Sequence, residues 1–472
     1  MRILILTQWF DPEPTFKGLL FARELVARGY EVEVLTGFPN YPGGSLYPCY
    51  KLRPWMRETL AGVRVLRVAL YPSHDMSGLR RALNYVSFAV SAAVIGTALV
   101  KKPDVMYVYH PPITVGFAAA VIGFLRQTPF VYDIQDMWPD TVMASGMTSN
   151  SAVIALLERL CRFVYRRSSH ITVNSPGFKE TLVERGVLLD KIDVIYNWCD
   201  ETVFTVDSEH CLRLASGPAK FTIVFAGTMG TAQGLDSVLE AARLCLRTVP
   251  MAEFVFIGGG VDRTRLERMA VAMNLNNVRF VPRQPMNAMN RILAGSDVLL
   301  VHLKDEPLFR ITIPSKIQAY LASGRPLLVA VRGEAADLVK ESQAGMVCEP
   351  GNAHSIAQAV AKLADLSRER LTDMGRNGRA FYDKELSLSI GVARFDAIFK
   401  AVLNETSRMR HRQMGRKHWL KASWRSFAAI CVLTLLSPLL ISAILLLWLW
   451  CWSRSWFSQD RAIASVSKSQ RA

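Results

Sequence analysis

Short apolar runs of strand length alternate with helical patterns along this chain, and the alternation is repeated in two separate blocks. This pattern restricts the fold more than any other feature. A strand that leads through a helix to another strand returns parallel to the first, and such a sheet needs helices on both faces. In the first block the expected strands are Ile3–Thr7, Glu31–Thr36, Val63–Val68, Val105–Tyr109, Phe130–Ile134, Ile171–Val173 and Asp193–Tyr196. Helical periodicity occupies Gly18–Arg28, Leu79–Val100, Ile113–Leu125 and Ser151–Arg167. It breaks at Thr205–Lys220, a polar stretch containing Gly217-Pro218. The second block has strands at Thr222–Ala226, Glu253–Ile257, Val278–Val281, Val298–Val301, Pro326–Val331 and Gly345–Cys348, and a helix near Leu388–Leu403 closes it. At 472 residues the chain is too long for one ordinary domain. The expected fold class is α/β, with two Rossmann-like halves facing a cleft and ligands at the carboxyl ends of the strands.

Two segments of the second half suit one ligand. In FAGTMGTAQGLDSVLEAA, a strand ends in a Gly227–Gly230 turn that leads toward a helix. In IPSKIQAYLASGRPLLVA, Ser315 and Lys316 open a helix, and a Gly324-Arg325-Pro326 turn enters the next strand. Helix N-termini offer unpaired N–H groups and a positive dipole end, so each is a seat for phosphate. Two seats and a lysine suit a diphosphate, which points to a nucleotide-sugar.

The formal charge of +16 is unevenly spread. From Ser407 to Ala472 there are eleven Lys/Arg and one acid, Asp460, so ten of the sixteen net charges lie in this tail. A local basic excess points to a local anionic surface, here membrane lipid, and not to nucleic acid. The same tail holds Phe427–Trp452, 26 residues without a charge and long enough to span a bilayer. Ser437-Pro438 sits near its midpoint, and basic residues flank both ends. Positive charge marks cytoplasmic flanks, so this arrangement favours a re-entrant hairpin over a single span. The expected tail is a basic linker 405–426, a membrane segment 427–452 and a basic end 453–472. The eight cysteines form no CxxC or metal-ligand spacing and read as free thiols in a reducing compartment. The opening MRILILTQWF reads as a strand with no signal-peptide core, so the body is expected in the cytosol.

FPNYPGG (Phe38–Gly44), VYDIQDMWPD (Val131–Asp140), FAGTMGTAQGL and IPSKIQAYLASGRP together resemble the retaining GT-B glycosyltransferases of family 4, over Met1 to about Asn404. The tail is similar to the anchor segment of bacterial polyprenyl-phosphate sugar-phosphate transferases, with Phe457, Gln459 and Arg461 after the broken apolar run. The family resemblance implies an acceptor domain at 1–204, a linker at 205–220, a nucleotide-sugar domain at 221–387 and a closing helix at 388–404. It implies transfer from a nucleoside-diphosphate-sugar, UDP before GDP, to a polyprenyl-diphosphate-linked saccharide at the cytoplasmic face of the bacterial inner membrane. No cofactor or metal is expected. A non-catalytic assembly partner and a sugar-nucleotide epimerase are the alternatives.

The resemblance also assigns candidate residues. Asp136 leads as the contact to an acceptor hydroxyl or donor sugar, with Asp133 and Asp140 behind it, because a carboxylate can orient a hydroxyl and take its proton. Lys316 would stabilise charge on the departing diphosphate. Gly18, Gly227, Thr228, Gly230, Gln233, Arg283, Arg310 and Ser315 complete the donor-binding set. Gln233 stands near the family's usual lysine, and Ile311 and Ala319 replace its paired glutamates, leaving Glu306 or Glu334 to serve the ribose. Asp262 and Arg263 lie where the family contacts the base. The apolar Leu79–Val100 helix reads as a buried crossover or as a membrane contact.

Overall fold

A computed structural model describes residues 1–73, 78–144, 146–204, 211–217 and 220–414. The expected membrane segment, the basic tail and half of the expected linker at 205–220 (residues 205–210, 218 and 219) lie outside the described residues.

The first sheet contains β1 (Arg2–Thr7), β2 (Glu31–Gly37), β3 (Trp55–Leu60), β4 (Val63–Val68), β5 (Val105–Tyr109), β6 (Phe130–Ile134), β7 (His170–Val173) and β8 (Ile192–Val194). Their order is β3-β4-β2-β1-β5-β6-β7-β8. The strands from β4 to β6 are parallel; β3 pairs antiparallel with β4. The periodicity passed over β3 because its residues alternate between exposed and half-buried at the sheet edge. Its signal was the Ala61-Gly62 pair, both at positive φ, which closes a two-residue hairpin. The central strands are apolar throughout: Ile3 to Leu6 of β1 and Val105 to Val108 of β5 are fully buried.

The second sheet contains β9 (Phe221–Ala226), β10 (Ala252–Ile257), β11 (Val278–Val281), β12 (Val298–His302), β13 (Leu327–Ala330) and β14 (Gly345–Val347). The order β11-β10-β9-β12-β13-β14 is that of a dinucleotide-binding fold, with the order reversing between β9 and β12. Both faces are covered: Phe221, Ile223 and Phe225 enter one core layer and Val224 the other.

The described chain forms two compact units. Met1–Thr172 with residues 396–414 makes one, and Val173–Phe395 the other. Compactness thus puts a boundary after Thr172, upstream of the polar stretch. The Pro176–Glu184 helix explains why: Gly177 N–H donates to Glu334 (2.6 Å) and Ser175 Oγ to the Ile311 carbonyl (2.6 Å), tying it into the second unit. The closing helix is longer than expected, Leu388–Met414. From Asp396 it belongs to the first unit, where Phe399 meets Tyr107 edge-on and Tyr30 Oη donates to Asp396.

Candidate functional site

In the second unit, the expected residues gather at the carboxyl ends of β9 and β12, where the strand order reverses. Gly227 follows β9 with φ at +136° and lies at an exposed turn with Thr228. Gly258 (φ +134°) and Gly260 (φ +143°), after β10, press against this turn. A Cβ on Gly258 would stand 2.1 Å from the Gly227 carbonyl, and one on Gly260 2.2 Å from the Met229 carbonyl. Only glycine allows that approach at such φ. Gly227 N–H donates to Ile257 O (2.9 Å) and Met229 N–H to Gly259 O (2.8 Å), so the two turns form one shelf.

Lys316 reaches this shelf from the Lys316–Ala322 helix. Lys316 and Tyr320 share a helix face. Tyr320 Oη accepts from Ala226 N–H (2.9 Å) and fixes the helix to the end of β9. Lys316 Nζ then lies 3.6 Å from the Phe225 ring centroid and 3.5 Å from where a Gly227 side chain would begin. This ammonium is buried and has no hydrogen-bond partner among the described residues. Burial lowers its pKa from 10.5 to about 7. An unpartnered buried cation beneath an amide-rich turn lacks an anion.

The helix-dipole seats expected here are corrected. A 3₁₀ turn, Thr231–Gln233, intervenes after Gly230, and the next helix starts only at Asp236. Asp236 places its own carboxylate in that first turn, paired with Arg265 (3.0 Å). The second helix has seven residues and no side-chain cap, which leaves Ser315 exposed and its hydroxyl uncommitted. The charge on Lys316, more than a macrodipole, makes the seat.

Gln233 Oε1 accepts from Gly230 N–H (2.9 Å), so this residue closes the turn where a lysine was expected. The sequence reading missed His302, the last residue of β12. Its Nδ1 lies 2.6 Å from the Gln233 carbonyl, and its Nε2 accepts from Gly351 N–H (3.2 Å) and lies 2.9 Å from Ser237 Oγ. These partners define a neutral imidazole protonated at Nδ1, and burial lowers its pKa in the same sense. A polar residue ending the apolar run VLLVH was the available signal.

Other donor candidates are placed elsewhere. Arg310 makes a bidentate pair with Asp305 (2.7 and 3.1 Å) and is half exposed. Arg283 is exposed beyond β11, two strands from β9. Arg263 donates to the Gly258 carbonyl (2.6 Å) and pairs with Glu267 (2.8 Å), and Asp262 pairs with Arg265 (3.4 Å), so both brace the glycine shelf. Glu334 accepts from Gly177 N–H (2.6 Å), and Glu306 is half-buried before the Pro307–Arg310 helix.

In the first unit, Asp133 is a buried hub at the end of β6. Its carboxylate takes Lys17 Nζ (2.7 Å), Tyr107 Oη (2.6 Å), Gln135 Nε2 (2.9 Å) and Thr172 Oγ1 (2.7 Å). The Lys17–Asp133 pair has no exposed surface. Four donors leave this carboxylate with positioning work, not proton transfer. Gly18, expected near the donor phosphates, packs against Asp11. The Asp11 carboxylate already caps Leu19 N–H (2.7 Å), and a Cβ on Gly18 would stand 2.2 Å from Asp11 Oδ2.

Asp136, the residue after the Gln135 that donates to the hub, has no such partners among the described residues. Burial alone raises its pKa from 3.8 to about 6. Burial raises the pKa of the Tyr41 and Tyr85 hydroxyls, and the Asp136 charge nearby adds to the rise. These rings belong to a continuous aromatic wall: Trp9 stacks on Tyr41 (4.5 Å) and meets Tyr85 (6.4 Å), and Tyr85 meets Trp138 (6.4 Å). The wall is held from behind. Glu13 accepts from Asn40 and Tyr41 N–H (2.8 Å each), which anchors FPNYPGG, and the Gln8–Asn84–Asn40 amides form a buried chain. Desolvation pushes Glu13 up to about 7. His110, also missed, lies beside Trp138 (5.9 Å), and burial holds its pKa near 3. Asp140 opens a short helix, Asp140–Ala144.

Residues 19–198 match the glycosyl transferase 4-like domain and residues 213–381 the glycosyl transferases group 1 domain. The chain is 29% identical over 361 residues to a putative colanic acid biosynthesis glycosyl transferase, WcaI, of Escherichia coli K12, covering 74% of this chain and 86% of that protein. It is 24% identical over 334 residues to a probable glycosyltransferase, WbjE, of Pseudomonas aeruginosa, covering 70% and 82%. Among solved structures, Anabaena HepE in complex with UDP and glucose superposes with a TM-score of 0.62 at 16% identity over 85% of this chain and 99% of that one. The alpha,alpha-trehalose 6-phosphate synthase of Burkholderia multivorans gives 0.65 at 13% identity over 87% and 98%.

Proposed function

We propose that this chain, a glycosyltransferase of the two-domain GT-B fold, moves a sugar from a nucleoside-diphosphate-sugar, UDP before GDP, to a polyprenyl-diphosphate-linked saccharide. The observation that carries the donor side is the buried Lys316 ammonium with no partner beneath the Gly227 turn. A diphosphate supplies the missing negative charge, and the shelf of turns admits it close to backbone. A relative named for colanic acid biosynthesis, and a neighbour solved in complex with UDP and glucose, favour this substrate class.

For the acceptor side, the half-buried Asp136 carboxylate beside the Trp9–Tyr41–Tyr85 wall has the chemistry of a saccharide site. Aromatic faces stack on sugar rings, and the carboxylate orients a hydroxyl. In the proposed step, the acceptor oxygen bonds to the anomeric carbon as the bond from that carbon to the diphosphate oxygen breaks. The hydroxyl proton passes to Asp136, the electron pair leaves with the diphosphate, and Lys316 stabilises that charge. Attack from the face that the diphosphate leaves retains the anomeric configuration. The uncharged run Phe427–Trp452 and its basic flanks support action at the cytoplasmic face of the bacterial inner membrane.

A membrane-fraction assay with radiolabelled UDP- and GDP-sugars, scoring label in the lipid phase, tests the reading. Label from a UDP-sugar is expected, and Lys316→Ala should abolish it. Near-normal transfer by that variant overturns the donor site; label only in water-soluble product overturns the lipid acceptor.

A further inference from the structure

Three helices of the first unit hold large apolar side chains in solvent. Gly78–Ser91 exposes Leu79, Leu83 and Val86, spaced as one helix face, and the π-helical turn Ala92–Gly96 continues with Val94. Thr114–Arg126 exposes Phe117 and Phe124, seven residues apart, and Ser151–Arg167 exposes Val153, Leu156 and Phe163. The helices adjoin in that order, and the Phe117 and Phe163 rings lie 5.0 Å apart. Single exposed apolar residues need no explanation, but rows on neighbouring helices do.

The run Gly78–Leu99 has a mean hydropathy of 1.6 and the length to cross a bilayer, yet a third of it is buried in the fold. Phe88, Ala92 and Gly96 face inward, and a Cβ on Gly96 would stand 2.4 Å from Leu35 of β2. A helix packed on a sheet by one side cannot also be surrounded by lipid; it can lie along a surface.

Charge identifies that surface. Ser151–Arg167 carries Arg159, Arg162, Arg166 and Arg167 against Glu158, all exposed. Gly78–Ser91 carries Arg80 and Arg81 and no acid; Thr114–Arg126 also lacks an acid, and its one arginine, Arg126, is turned to the Thr97 and Val100 carbonyls. Apolar rows with arginines and almost no carboxylate match the headgroup region of an anionic bilayer, where stems bury and guanidinium groups meet phosphate.

We infer that this three-helix face of the first unit docks on an anionic membrane surface, as a lipid contact separate from the C-terminal segment. It extends the proposed function by bringing the first unit itself to the surface that carries a lipid-linked acceptor.

The test uses the full chain in vesicles of phosphatidylcholine, with or without phosphatidylglycerol. A benzoylphenylalanine photocrosslinker replaces Leu83 or Leu156, and Val271, 77% exposed in the second unit, serves as control. Lipid adducts are expected at 83 and 156 and not at 271, several-fold stronger with phosphatidylglycerol. Arg159→Glu with Arg162→Glu should weaken the adduct at 156 several-fold while UDP binding is unchanged. Adducts at 83 and 156 no stronger than at 271, no dependence on phosphatidylglycerol, or crosslinks to a second copy of the chain each overturn the inference. UDP binding by the same samples reports separately on the donor site.

Discussion

Replacing Lys316 by methionine should stabilise the ligand-free protein while destroying its donor site. The stem and its packing survive; only the ammonium is lost. Each tenfold change in proton affinity is about 1.4 kcal/mol. A pKa lowered from 10.5 to about 7 therefore means that the protonated side chain costs the folded state roughly 5 kcal/mol. The Phe225 ring offsets about 1–2 kcal/mol as a cation–π partner. A net gain of about 3–4 kcal/mol is expected for the variant at and below pH 7. The sign follows from proton counting. Between about pH 7 and 10.5 the unfolded chain holds a proton that the folded side chain releases, so this contribution to wild-type stability rises with pH. The gap to the variant is widest below pH 7 and closes toward 10.5. UDP narrows the gap, because a diphosphate restores the charged form. Losing a charge-assisted contact of about 2–3 kcal/mol weakens UDP binding roughly 30- to 150-fold. Chemical denaturation of the full chain in detergent across this pH range, with and without UDP, reads the stabilities, and calorimetry reads the affinity. A variant less stable than wild type at pH 6.5 that still binds UDP normally refutes the reasoning.

Asp133→Asn strands the buried Lys17 ammonium and should cost about 3–5 kcal/mol in urea denaturation, with much of the loss recovered in Lys17→Met/Asp133→Leu. Gly258→Ala places a methyl group against the Gly227 carbonyl at positive φ, a strain of about 1–3 kcal/mol, and should weaken UDP binding in calorimetry about tenfold or more. Wild-type transfer should fall on the acid side of pH 6 as the Asp136 carboxylate, with its pKa raised to about 6, takes up a proton. Asp136→Asn should remove that limb of the pH–rate profile and slow transfer about 100-fold or more.

The strands were legible because parallel strands buried on both faces read as unbroken apolar runs, and Val105–Tyr109 and Phe130–Ile134 lie where expected. The edge strand β3 was not, since half its side chains face solvent and carry no apolar signal. Lys316 could be singled out from its place after Ile313-Pro314-Ser315. Asp133 and Asp136 could not be separated, because three residues of spacing do not reveal which carboxylate meets four donors and which meets aromatic rings.

Periodicity and turn chemistry are local properties of the chain, so the sequence alone determined the two α/β blocks, the glycine turns and the residue types available for a diphosphate. The state of each charged group was decided by tertiary structure. Lys17 and Asp133 are 116 positions apart and neutralise each other, whereas Lys316 rests on Phe225, from a distant strand, with no counter-ion among the described residues. Desolvation and pairing depend on which distant segments meet, and only the packed sheets bring those segments together.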